Sequence, residues 1–165
     1  MDGGAFQNLC DAYLSYKGYK NIYSLGMRTG TDKTAKGNPD TYFLTAENKY
    51  VFVMYTTQKT DFLKKAIEDI DKCFDSQKTG VSAEDIVEII YCHTYGRLGP
   101  GDDRYLRQYC EEHGVVLTLI GLDQLGNDIF HECPVLAKDF FGISIDSGQI
   151  LPLDVFVARH DANKI

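Results

Sequence analysis

Residues 40–59 read DTYFLTAENKYVFVMYTTQK, two apolar runs rich in aromatic and β-branched residues around the polar break Ala46-Glu47-Asn48-Lys49. Such residues suit a pleated, half-buried surface, and a short polar interruption between two runs of them spells a β-hairpin. The second arm, YVFVMYTT (50–57), is apolar on both faces, as a strand inside a sheet must be. Upstream, KNIYSLGMR (20–28) has the composition of a further strand. It reaches the hairpin through the Gly-rich polar loop TGTDKTAKGNP, so an antiparallel meander of three strands is expected.

Helical periodicity frames this meander. Phe6, Leu9, Cys10, Tyr13 and Leu14 recur at the spacing of a half-buried helix over about 4–17, which Gly18 stops. Phe62, Leu63, Ala66, Ile67, Ile70 and Phe74 predict a second helix over about 61–76, with Lys64, Lys65, Glu68 and Lys72 facing water. VEIIYCHT (87–94) and VVLTLIG (115–121) read as buried strands around a helix at 102–113. LDQLGNDIFHE reads as a helix, and PVLAKDFFG as a short one after Pro134. The order α-β-β-β-α-β-α-β-α defines an α/β fold with a central mixed sheet flanked by helices. After Gly142 the periodicity fades, so 1–142 is expected to form the domain and 143–165 an extension or linker.

The bulk numbers bound the function. With 165 residues, 44% of them hydrophobic and 25% charged, the chain can build one well-cored domain. No apolar run is long enough to span a bilayer and no signal peptide is visible at the amino terminus, which leads to a cytoplasmic expectation. The five cysteines are scattered without a CxxC pair, which argues against a zinc site or disulfide framework. A net charge of −7 disfavours generic nucleic-acid affinity. Local basic groups remain: Arg28, Lys33 and Lys36 before Asp40, and Lys59, Lys64 and Lys65 after the central strand.

Asn38-Pro39-Asp40 is the most suggestive chemistry. A carboxylate opening a strand can hold a hard cation through oxygen. The neighbouring strand ends in Gln58, a polar acceptor, and Lys59, which could steady a phosphate. A strand alternates its side chains, so adjacent Gln58 and Lys59 face apart unless the strand ends or bulges between them. Met54 and Thr56 have the better spacing, but a thioether is a poor magnesium ligand. Gln7 and Asp11, one turn apart on the first helix, could act as auxiliary ligands; a solvent-facing polar flank is the plainer reading. His93 closes a buried strand, where a satisfied core histidine is commoner than a functional one. Gly96–Gly101 lacks the residues of a phosphate loop.

Four segments, FQNLCDAYLSYKGYKNI, GNPDTYFLTAENKYVFVMYTTQK, IIYCHTYGRLGPGDDRYL and GISIDSGQILPLDVFVARHDANKI, together give the chain a resemblance to a known family. It resembles the restriction-endonuclease-like, PD-(D/E)xK or Mrr-like, domains that precede STAND-type NTPase modules in bacterial proteins such as the Avs-type antiphage sensors. The resemblance implies an αβββαβ core and Mg2+-dependent (or Mn2+-dependent) cleavage of DNA. It also implies a homo-oligomeric effector followed by an NTPase domain outside this chain. Asp40 matches the Asp of the PD motif, Gln58 with Lys59 the nearest equivalent of the (D/E/Q)xK element, and Gln7 a helix-1 Glu. Arg28, Lys33 and Lys36 would guide the DNA backbone. Position 54 is no acid, Lys59 directly follows Gln58, and position 7 is an amide. These departures open a second reading, a catalytically inactive module of the same fold used for oligomerisation or partner binding.

Overall fold

A computed structural model describes residues 3–19, 23–24, 39–96 and 98–132, together with Val135 and Lys138. The elements are α1 (Gly3–Tyr16), β1 (Tyr23–Ser24), β2 (Thr41–Leu44), β3 (Tyr50–Thr56), α2 (Phe62–Phe74), the one-turn α3 (Ser76–Thr79), β4 (Ile86–His93), α4 (Pro100–Glu111), β5 (Val116–Gly121) and α5 (Leu122–Glu132). Two compact units divide at Leu122/Asp123: the first holds the sheet with α1 to α4, and α5 is the continuous described part of the second. The expected extension 143–165 lies outside the described residues, as do most of the expected strand at 20–28 and most of the helix after Pro134.

The first unit is a mixed α/β sheet flanked by helices. Its five strands lie in the order β1-β2-β3-β4-β5. β1, β2 and β3 pair antiparallel, as the hairpin reading requires, whereas β3, β4 and β5 run parallel through the helical crossovers. The hairpin turn is closed by the Thr45 N–H on the Lys49 carbonyl, with Asn48 in the left-handed region at φ 61°, a conformation asparagine tolerates.

Alternation along β3 distributes the core. Phe52 and Met54 join Phe62, Ala66, Ile70 and Cys73 of α2, Ile89 and Tyr91 of β4, and Leu106 and Cys110 of α4 in one apolar cluster. On the opposite face Tyr55 reaches α1, whose Phe6, Leu9 and Cys10 are fully buried. The sheet therefore lies between α1 on one side and α2 with α4 on the other.

Two details differ from the sequence expectation. The helix expected to run to 76 ends at Phe74, because Asp75 turns extended and its carboxylate accepts the Gln77 N–H at 3.0 Å, starting α3. The central strand stops at Thr56, one residue early, where the Thr56 hydroxyl takes the Gln58 N–H at 3.1 Å.

Candidate functional site

Asp40 lies immediately before β2. The pairing of Thr41 with Val53, continued by one step, sets it beside Met54 of β3. One carboxylate oxygen, Oδ2, accepts the Tyr55 N–H at 3.1 Å; Oδ1 has no hydrogen-bond partner among the described residues. Burial pushes the Asp40 carboxyl up to about 6, the Tyr55 N–H pulls it back, Asp69 raises it, Lys65 lowers it and Asp11 raises it. Burial, more than any neighbouring charge, sets its proton affinity.

The residues that electrostatically face it come from both helical layers. On α2, Asp69 is only 3% exposed and is held by Lys65 Nζ at 3.0 Å, Lys72 Nζ at 3.8 Å and the Tyr91 hydroxyl at 2.8 Å. The Tyr91 hydroxyl is pushed well above its ordinary pKa by burial and by Asp69, so it stays protonated and donates. On α1, Asp11 accepts hydrogen bonds from the hydroxyls of Tyr55 and Thr41, whose oxygens lie 3.1 Å apart. The first network ties α2 to β4, and the second ties α1 to β2 and β3 on the opposite face.

The expected partners of Asp40 are arranged differently. Gln58 and Lys59 follow the end of β3, and both are exposed. The Gln58 amide donates to the Thr60 carbonyl at 2.6 Å. Among the described residues no hydrogen bond or ion pair joins Gln58 or Lys59 to Asp40. Gln7, read most plainly as a solvent-facing flank, is instead 3% exposed on the inner face of α1, with its Nε2 unpaired. Asp11 is likewise turned inward, onto Tyr55 and Thr41. Arg28, Lys33 and Lys36 lie outside the described residues.

Met54 is 4% exposed and packs in the α2-side cluster. A thioether therefore stands on β3 at the position next to Asp40. Among the described residues no three His, Cys, Asp or Glu side chains gather as a metal cage. The donor set fits a cation held by Asp40 Oδ1 and otherwise by water or substrate oxygens, a mode that suits magnesium.

Asp69 and Tyr91 were missed by the sequence reading, and Lys65, named among the basic groups and expected to face water, pairs instead with buried Asp69. A signal was present: Phe62, Ala66, Asp69, Ile70 and Cys73 fall on one helical stripe, and a carboxylate on an apolar stripe must find partners inside. His93 did end a buried strand as expected, but its Nδ1 is buried without a hydrogen bond. Burial lowers its pKa, and the Tyr95 backbone opposes that shift in part. No helix among the described residues is long and apolar enough to cross a membrane. No protein-family model matches the chain, and no curated protein does either.

Proposed function

We propose that this chain is a restriction-endonuclease-like module that acts on DNA through a divalent cation held at Asp40. One observation carries the reading. A half-buried carboxylate with a free oxygen opens the middle strand of an antiparallel meander whose last strand continues into a parallel βαβ unit. That strand order agrees with the αβββαβ core of the family the sequence resembles. A bound cation would lower the pKa of its water and offset charge on the phosphate undergoing attack. The chain's own residues orient and neutralise. The Tyr55 N–H fixes Asp40, the Lys65–Asp69 pair sets the local charge, and Lys59 on the exposed turn can approach a phosphate. Gln58 gives its Nε2 to the Thr60 carbonyl, so Oε1 is the atom through which it would join as a ligand. The wider setting, a cytoplasmic, homo-oligomeric effector joined to an antiphage NTPase, rests on the sequence resemblance.

Thermal melting in Mg2+ or Mn2+ tests the cation site. Binding to the folded state alone raises stability by about 2.7 kcal/mol at a hundredfold excess over Kd, and Asp40→Ala should remove both this shift and plasmid nicking. Cleavage that survives Asp40→Ala would sink the assignment.

Met54 favours a second reading, the catalytically inactive module. Here Met54→Glu is the informative variant. It places an acid beside Asp40, so it should destabilise the metal-free protein and regain stability when Mn2+ is added. Newly acquired nicking would show that the native chain is silent for want of that ligand. Equal nicking by the native chain and the variant would remove the case for inactivity.

A further inference from the structure

We propose that Asp11 of α1 is the positioning residue of the Asp40 site, setting that carboxylate through Tyr55 and Thr41 without touching it. The inference rests on the cation reading above for its chemistry, while the hydrogen bonds that carry it need no metal. One oxygen of Asp11, Oδ1, accepts from the hydroxyls of both Tyr55 and Thr41, the latter at 3.4 Å. Tyr55 is the residue whose N–H holds Asp40 Oδ2 at 3.1 Å, and Thr41 directly follows Asp40 in the chain. A single α1 carboxylate thus anchors both the donor to Asp40 and the backbone that carries Asp40.

Strand geometry makes the link possible. A strand points its side chains off the sheet and its N–H groups along it. Tyr55 therefore sends its hydroxyl to α1 while its N–H stays available to Asp40. Thr41, the first residue of β2, is fully buried and sends its hydroxyl the same way. Asp11 acts on Asp40 through the backbone of these two residues.

Stability alone does not call for this trio. Val51 and Val53 precede Tyr55 on the same face of β3, and α1 brings fully buried Phe6, Leu9 and Cys10 to the interface. Polar groups enclosed in such a setting are costly unless they satisfy one another, and once satisfied they fix a single arrangement. Here they fix the end of β3 against the start of β2, where Asp40 stands. A ligand side chain must be held to within about 0.5 Å to serve a metal. Helix α1 is then the element that regulates the site, since a shift of α1 along the sheet draws the Tyr55 N–H away from Asp40.

The test is amide hydrogen exchange of the full chain by 15N–1H NMR without metal, followed by calorimetric titration with Mn2+. Three variants are compared: Tyr55→Phe, which keeps the ring packing, Asp11→Ala, and Asp11→Asn, which keeps an acceptor oxygen and drops the charge. In the first two, the amide at position 55 should exchange several times faster while those of Phe52 and Val53 keep native rates. Mn2+ affinity should fall roughly tenfold in the same two, the scale of one hydrogen bond to a charged group. Asp11→Asn should restore both. Equal weakening in Asp11→Asn and Asp11→Ala would assign the effect to charge, and faster exchange along the whole of β3 would make the trio merely structural. Either result overturns the proposal, as does native exchange at position 55 in Tyr55→Phe. If the native chain binds no Mn2+, the cation reading fails, while exchange at position 55 still decides whether Asp11 positions Asp40.

Discussion

At the scale of single residues, Asp40 is where burial and the proposed cation site pull against each other. Its pKa moves from an ordinary 3.8 up to about 6, mainly because burial disfavours the charged form. A raised carboxylate pKa contributes stability that is fully present below the unfolded value and is lost as pH rises through about 6. Asp40→Asn keeps an oxygen for the Tyr55 N–H and removes the charge. It should therefore melt higher than the native chain at pH 8, by up to about 3 kcal/mol, with the difference closing as pH falls below about 4. Urea melts across that range measure it, and a pH-independent difference would contradict the burial account. Metal binding should follow the same titration, strengthening above about pH 6 as the proton leaves. That Asp40 opens a strand was legible from Pro39-Asp40 and the hairpin after it. Its shifted proton affinity was not, because burial by packed elements causes most of it, and Asp69 and Asp11 add to it from helices distant in sequence.

At the scale of elements, α2 combines a core face with a buried ionic cluster. Asp69 sits among Ala66, Ile70 and Cys73, and it is tolerated because two lysines and the Tyr91 hydroxyl surround it. Tyr91→Phe removes one of these partners and leaves a buried carboxylate oxygen unsatisfied. A loss of about 1–3 kcal/mol is expected in denaturant unfolding, and Asp40 should titrate differently because Asp69 is less restrained. Across the sheet, α4 supports β5: the Arg107 guanidinium, braced by Asp103 at 2.8 Å, donates to the Leu117 carbonyl at 2.9 Å. Periodicity located α1, α2, α4 and the central strands to within one or two residues, since burying one face imposes a 3.6 or 2 residue repeat. It missed the break at Asp75, where a local carboxylate cap outweighs the continuing apolar stripe. It also read Gln7 as exposed, since an amide next to an apolar stripe carries no local mark of being enclosed.

At the scale of the whole molecule, an excess of seven negative charges meets a proposed nucleic-acid function. DNA affinity should be weak and carried by local cations, and its dependence on salt counts them. If Lys59 and Lys64 act with Arg28, Lys33 and Lys36, the slope of log K against log salt should be about −5; with the two lysines alone, about −2. We expect the steeper value under the nuclease reading, measured by fluorescence anisotropy in Mg2+ with a short duplex. The amino-acid sequence by itself determined the element order, the hairpin, the apolar central strands and the position of Asp40. Each is set by local composition or by a short repeat. Tertiary structure alone decided the side-by-side order of β3, β4 and β5 and that Met54 stands beside Asp40. It also brought Asp69 and Lys65 in from α2 and set the His93 ring against that of Phe62. Strand register and helix packing join residues far apart in the chain, and no local pattern records which of them meet.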